Sequence, residues 1–110
     1  MNIIKIKNEI QKNDAISAED GKLIFEKIKS FIESQQDVIV DFEGIDLVLS
    51  TFLNPAIGQL YYLYDEKVIK TFFQYTNLED VDVQTLDRVI QNALNQKENK
   101  PAINEGLIDG

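Results

Sequence analysis

The sequence contains no cysteine and no histidine. Without cysteine there are no disulfide bonds and no thiol catalysis, and without histidine there is no catalytic triad that uses an imidazole base. Metal sites built on Cys or His ligands are excluded as well. Composition leaves open a calcium or magnesium site made only of oxygen ligands, but no run of Asp and Asn has the EF-hand spacing. We therefore predict no metal and no other cofactor.

The sequence also lacks a long hydrophobic run and a cluster of basic residues. No apolar stretch approaches the ~20 residues that a membrane span needs, and the first ten residues alternate apolar and polar rather than forming a signal peptide. The net charge is −8, and the 11 Lys and Arg residues are scattered along the chain. Such a charge disfavours binding to nucleic acid and to anionic membranes. We therefore expect a cytoplasmic protein with neither of these partners.

The chain length of 110 residues suits one domain with a single core. We predict that the domain comprises residues 1–97. Residues 98–110 contain Pro101 and two glycines, a composition typical of a terminal tail that is frayed or docked on the domain. The sequence does not indicate the oligomeric state.

Hydrophobic periodicity predicts alternating strands and helices. Strands are expected at residues 2–7, 37–42 and 67–75, with a brief edge strand around Ile10 or Ala15–Ile16. Helices are expected at residues 17–34 with Ser17 as N-cap, from the fifties to Tyr64, and from Leu78 or Val83 to Lys97. This order predicts an α/β fold, a single domain with a mixed or mostly parallel sheet of about four strands and three helices.

The start of the second helix is ambiguous. Ser50 or Thr51 could be its N-cap, but Asn54 followed by Pro55 is also a favoured pair for the N-cap and first helical position. If the helix begins near Ser50, Pro55 lies inside it, where it lacks an N–H and its ring crowds a carbonyl oxygen. A tight 3₁₀-like first turn would accommodate the proline.

Residues 40–60 resemble a known family of domains. The segments Asp41-Phe42-Glu43-Gly44, Ser50-Thr51-Phe52-Leu53 and Ala56-Ile57-Gly58 are similar to those of STAS-like domains. These are relatives of the bacterial anti-sigma factor antagonists, and a small uncharacterised family among them has a DFEG strand end. The resemblance implies an α/β domain with helices packed on its sheet.

The resemblance also implies a function. In the antagonists, a serine at the start of the second helix is phosphorylated by an ATP-binding partner kinase, and the phosphate blocks partner binding. Ser50 occupies that position and Thr51 is its neighbour. The chain differs from the antagonists in having Leu49 before this serine and Phe52 and Asn54 after it.

We therefore predict a non-enzymatic signalling protein that binds a protein partner through the loop and N-terminus of the second helix. By resemblance, the partner is an anti-sigma-like or histidine-kinase-like ATPase, and phosphorylation at Ser50 or Thr51 is the switch. Two alternatives are a small nucleotide-binding module and a structural or homodimeric subunit in which Ser50 is only a helix cap. The predicted docking residues are Glu43, Asp46, Leu49, Phe52 and Asn54.

Overall fold

A computed structural model describes the backbone of residues 1–109 and the side chains of residues 1–99. In the N-terminal half, a strand and a short helix are followed by a short strand, a longer helix and two further strands. Its elements are β1 (Asn2–Lys5), α1 (Ile6–Ile10), β2 (Asp14–Ala15), α2 (Ala18–Glu33), β3 (Val38–Asp41) and β4 (Leu47–Val48).

The second half is mostly helical. Its first helix, α3, consists of Ser50–Leu53, a π-helical turn at Asn54–Gly58, and Gln59–Leu63. It is followed by α4 (Glu66–Phe72), β5 (Phe73–Thr76) and α5 (Asp80–Asp109). The backbone of α5 continues past its predicted end at Lys97. Side chains after residue 99 lie outside the described residues, so the boundary between the domain and a C-terminal tail stays a prediction.

The strands form two parallel sheets. Three strands lie in the order β1-β3-β5, with Ile4 paired to Val40 and Val40 to Tyr75. The second sheet is the short pair β2-β4. The α/β class and the parallel arrangement are confirmed. Within the described residues there are five strands and five helices, so the predicted count of about four strands and three helices is wrong.

The main error in the predicted elements is the strand at residues 67–75. Only Phe73–Thr76 is a strand, and Glu66–Phe72 is helical. The β-branched and aromatic composition of this segment favoured a strand. However, Val68, Ile69 and Phe72 also have the i, i+1, i+4 spacing of one helical face, and Ile69 is buried with the other two packed against the core. Tertiary burial of that face decides the structure.

Near the N-terminus, too, the spacing of the buried residues changes from that of a strand to that of a helix. The predicted strand at residues 2–7 ends at Lys5, and Ile6 begins a helix instead. Ile6 and Ile10 are four residues apart and both are buried, which suits one helical turn facing the core. The helix ends at Ile10 and is capped by Gln11, which has φ 56° and donates its N–H to the carbonyl oxygen of Lys7 at 2.9 Å.

The core lies between one face of the three-stranded sheet and the helices. Helix α2 is the best predicted element: Ser17 accepts a hydrogen bond from the N–H of Asp20 at 3.1 Å, as an N-cap should. The opposite face of the sheet carries Ile3, which is 58% exposed. The largest fully buried side chains are Phe42, Phe52, Ile6, Ile24, Ile28, Leu53, Ile57, Leu60, Ile69, Leu86, Val38 and Val40.

Candidate functional site

The turn after β3 is built by the Asp-Phe-Glu-Gly segment. The Asp41 side chain is buried, and its Oδ1 accepts hydrogen bonds from the N–H of Glu43 at 2.9 Å and from Nδ2 of Asn77 at 2.8 Å. The second bond joins the end of β3 to the residue that follows β5. Gly44 has φ +83°, a left-handed conformation that favours glycine. Asp41 and Gly44 therefore have structural roles in shaping this edge of the sheet.

These hydrogen bonds also change the acidity of Asp41. The bond from Asn77 lowers the pKa of the Asp41 carboxyl below its ordinary value, and the bond from Glu43 and the charge of Lys5 lower it further. Burial acts in the opposite direction because it disfavours the charged form. The ionised carboxylate is thus the form that the folded turn stabilises.

The pairing of β2 with β4 places an exposed group of apolar side chains in front of α3. Asp14 pairs with Leu47 and Ala15 with Val48, and the N–H of Leu49 donates to the carbonyl oxygen of Ala15 at 3.0 Å. Because side chains alternate along a strand, Leu47 and Leu49 point away from buried Val48. Ile16, Leu47 and Leu49 are 39%, 46% and 42% exposed. We call these three residues the apolar cluster.

Ser50 and Thr51 follow this cluster directly, as the first two residues of α3. Leu49 is the N-cap residue, with φ −115° and ψ 156° and no side-chain capping bond. Its carbonyl oxygen accepts hydrogen bonds from the N–H groups of Phe52 and Leu53, at 3.0 and 3.1 Å. The expectation that Ser50, Thr51 or Asn54 is the N-cap is therefore wrong, because each of them already lies within the helix.

The two hydroxyl groups have different surroundings. Thr51 Oγ1 donates to the carbonyl oxygen of Ile16 at 2.7 Å, which attaches the start of α3 to the strand pair. Ser50 is exposed, and its hydroxyl has no hydrogen bond to any other described residue. Of the two candidate phosphoacceptors, Ser50 is the one whose hydroxyl is accessible without breaking a contact of the fold.

A wide helical turn accommodates Pro55. The π-helical segment Asn54–Gly58 has Pro55 near its start, and the N–H of Gln59 donates to the carbonyl oxygen of Asn54, five residues earlier. A wider turn of this kind tolerates a residue that lacks an N–H. The helix is therefore widened at the proline, whereas a tight 3₁₀-like first turn was predicted.

The inner side of α3 is in close contact with α2. A Cβ atom on Gly21 would lie 2.5 Å from the carbonyl oxygen of Phe52 and 2.7 Å from Cγ of Pro55. The backbones of the two helices can approach this closely only because Gly21 has no side chain. The contact explains a glycine inside α2, where it otherwise costs about 1 kcal/mol relative to alanine.

The five predicted docking residues do not form one surface. Phe52 is 0% exposed, so it belongs to the core and cannot contact a partner. Glu43 lies in the turn after β3, with its Oε1 4.0 Å from Nζ of Lys5. Asn54 lines a groove beside α5. Asp46 and Leu49 are the two that flank β4, and both are exposed.

Sequence reasoning missed Ile16 and Leu47, because it did not predict the pairing of β2 with β4. A prediction of the β2-β4 pair would have placed Ile16 next to Leu49. Among residues 1–99, no group of three or more acidic side chains is placed to hold a metal ion. No helix in the described part of the chain is long and apolar enough to cross a membrane.

The far end of α3 is held by two side chains. Lys97 Nζ donates to the carbonyl oxygens of Tyr64 at 2.8 Å and Tyr61 at 3.3 Å. The Tyr64 hydroxyl donates to the carboxylate of Glu33 on α2. Burial, followed by the bond and charge of Glu33, raises the pKa of Tyr64 to about 12. This end of the helix is thus anchored to both α5 and α2.

A family model described as a STAS-like domain of unknown function (DUF4325) matches residues 20–83, which is more than half of the chain. The chain belongs to this family. The resemblance found in the sequence is confirmed, and the matched STAS-like region includes the Asp41–Gly44 turn, Leu47, Leu49 and the whole of α3. Neither a curated protein nor a solved structure matches the chain significantly.

Proposed function

We propose that this STAS-like protein is a non-enzymatic regulatory component that binds a protein partner through the apolar cluster and the first turn of α3. Phosphorylation of Ser50 would prevent that binding. The observation that carries the proposal is the exposed, unbonded Ser50 hydroxyl next to Leu49, at the edge of three exposed apolar side chains. Exposed apolar groups of this kind mark interaction sites when they are contiguous.

Ser50 is preferred to Thr51 as the phosphoacceptor for a structural reason. The Thr51 hydroxyl is used in the bond to Ile16, so a kinase would have to break a contact between α3 and the strand pair. Modification of Ser50 breaks no hydrogen bond of the described residues. A phosphate on Ser50 would therefore change the surface of the protein without breaking these contacts of the fold.

A phosphate at Ser50 would act on the apolar cluster by charge and hydration. It adds about −1.5 to −2 charges at neutral pH. A partner that covers Leu49 would have to remove water from this charge, which is costly without a compensating cation. Because Ser50 directly follows Leu49, the added charge would lie against the apolar centre of that contact.

The surroundings of the apolar cluster indicate the chemistry of the partner. Asp14, Glu19 and Asp46 are exposed on the segments that form or flank it. A complementary surface has an apolar centre with Lys or Arg at its edge. By family resemblance, we propose an anti-sigma-like or histidine-kinase-like ATPase in the cytoplasm as the protein that carries this surface.

The test compares proteins that differ only at one serine. Phosphoserine is incorporated at Ser50 during translation, and the product is used beside the unmodified chain to capture partners from a native lysate. The matched control carries phosphoserine at Ser30, which is exposed on α2. Ser30 lies nine residues, or about 13 Å, along this helix from Gly21, where α2 contacts α3. We expect one partner to bind the unmodified chain and the Ser30 control but not the Ser50-modified chain.

One further variant locates the surface. Leu49→Ser should weaken capture of the same partner, because it removes apolar area from the cluster, and circular dichroism should show an unchanged fold. Equal capture by the unmodified and Ser50-modified chains would rule out the switch. Intact-mass analysis after incubation with lysate and ATP adds an independent check, since a phosphate should appear on the wild type and on Thr51→Val but not on Ser50→Ala.

A further inference from the structure

A second surface with a distinct chemistry lies on the other side of α3, between its π-helical turn and α5. The groove has a volume of about 570 Å³, which lies within the range of ligand-binding sites. Gly58 and Ala93 are buried between its walls, and Tyr62 is at its margin. Six carboxamide side chains line it: Asn54, Gln59, Asn92, Asn95, Gln96 and Asn99.

The lining of this groove is unusual for the chain. Charged residues make up 27% of the sequence, yet among the described residues that line the groove none is Asp, Glu, Lys or Arg. Within the described part of the chain, no hydrogen bond joins any of the six carboxamides to another group. Each carboxamide therefore has a carbonyl acceptor and two N–H donors free for a ligand, independent of pH.

Four of the carboxamides form a regular row on α5. Asn92, Asn95, Gln96 and Asn99 follow one another at intervals of three, one and three residues and line the same groove, as expected for one face of a helix. From Asn92 to Asn99 the helix rises about 10 Å. An extended peptide covers this distance in about three residues. The row therefore matches the length of a short peptide segment lying along the groove.

A carboxamide is also chemically matched to a peptide group. Its carbonyl oxygen can accept from a peptide N–H while its own N–H donates to a peptide carbonyl. Such pairs do not depend on the side chains of the ligand, and they carry no charge. None of the described lining residues is a cation, and this, together with the net charge of −8, disfavours an anionic ligand.

We propose that this groove, called here the amide groove, binds an extended, uncharged peptide segment of another protein by its backbone. The row on α5 pairs with successive peptide groups, and Asn54 and Gln59 contact the segment from the opposite wall. The site differs from the Ser50 surface in place and in chemistry, and it does not depend on phosphorylation.

The experiment uses a phage library of random seven-residue peptides, selected on the full-length protein. Enriched peptides are synthesised, and their affinities are measured by isothermal titration calorimetry. We expect Asn92→Ala combined with Asn95→Ala to weaken binding by about tenfold, because two hydrogen-bonding groups are lost. Alanine is the better helix former, so the variant should fold, which circular dichroism verifies.

The matched control is Gln91→Ala, an exposed carboxamide on the same helix that does not line the groove; its affinity for the peptides should equal that of the wild type. A second probe is the same peptide with its central peptide nitrogens methylated, which removes backbone donors but retains the side chains. It should bind at least tenfold more weakly. The proposal is overturned if no peptide is enriched, if the groove variant binds as well as the control, or if methylation has no effect.

Discussion

The two ends of α3 are held in different ways. At its C-terminal end, the Lys97 ammonium donates to two carbonyl oxygens, and Tyr64 is bonded to Glu33. A positive charge there also suits the negative end of the helix dipole. Among the described residues, its N-terminal end has no side-chain cap, and the single side-chain hydrogen bond there is that of Thr51 to Ile16. Ser50, the first residue, is exposed.

The side of α3 that holds its first turn in place is therefore different from the side that is accessible to a partner. The start of α3 is fixed from its inner side, through the close approach of Gly21 to Phe52 and Pro55. Its outer side is left open, beside the apolar cluster. A helix held in this way can present its first turn to a partner without loss of position, because its contacts with α2 and α5 do not involve the apolar cluster.

The largest loss of stability should come from disrupting the contact of Gly21 with Phe52 and Pro55 at the start of α3. Gly21→Ala places a Cβ 2.5 Å from the Phe52 carbonyl oxygen, so α2 and α3 must move apart. We expect the free energy of unfolding to fall by about 1–3 kcal/mol, although alanine favours the helix by about 1 kcal/mol. Urea denaturation followed by circular dichroism measures the change.

Glu26→Ala is the control for this substitution, since Glu26 is exposed on the same helix and should change the stability by less than about 0.5 kcal/mol. If Gly21→Ala were as stable as the wild type, the close contact would not be what fixes the start of α3.

The next effect concerns the anchored end. Lys97→Met keeps most of the aliphatic chain but removes both hydrogen bonds to the end of α3. Because a half-buried charged donor is lost, we expect a loss of about 1.5 kcal/mol in the free energy of unfolding. Lys70→Met, at an exposed position on α4, is the comparison. Equal stabilities of the two variants would mean that Lys97 does not anchor the helix.

A smaller loss of stability is expected from removing the hydrogen bond of Thr51 at the open end. Thr51→Val removes the donor to the Ile16 carbonyl and should cost about 0.5–1 kcal/mol, because the bond is exposed to water. Thr51→Ser keeps the hydroxyl and should restore most of the loss. Thermal unfolding of the three proteins is sufficient to rank them. A Thr51→Ser variant no more stable than Thr51→Val would mean that the hydroxyl bond to Ile16 does not stabilise this end of the helix.

The smallest effect at neutral pH should come from Glu33→Gln. The pKa of Tyr64 is raised to about 12 from 10.0 in the folded protein, so the stability that this shift contributes is complete below pH 10 and is lost between pH 10 and 12. Removing the Glu33 charge should lower the pKa of Tyr64, while burial keeps it above its ordinary value. Titration of the tyrosine Cζ resonance by NMR reports it directly. An unchanged pKa would assign the whole shift to burial.

Part of the fold could be predicted because local signals agreed with burial. Ser17 is a favourable N-cap, and the apolar residues that follow it recur with the period of a helix. Both signals indicate α2. The strand at Val38–Asp41 is apolar on both faces and bounded by polar residues. The residues around Ser50 could be found through the family resemblance, whose segments extend over this part of the chain.

The rest depended on contacts between segments distant in the sequence. Nothing near Leu47 indicates that it pairs with Asp14, so the exposed apolar cluster was not foreseen. Phe52 was expected on the docking surface because it follows Ser50, yet the turn of the helix directs it into the core. Lys97 acts on a helix that ends more than thirty residues earlier, and no local pattern encodes such a contact.

The π-helical turn determines the direction in which Ser50 faces. A turn closed between Asn54 and Gln59 contains one residue more than an α-helical turn. Deleting one residue within Asn54–Gly58 would convert it to an α-helical turn and change the rotation of Ser50–Leu53 relative to Gln59–Leu63, turning Phe52 away from its position in the core. The number of residues in this one helical turn therefore sets the orientation of the first turn of α3.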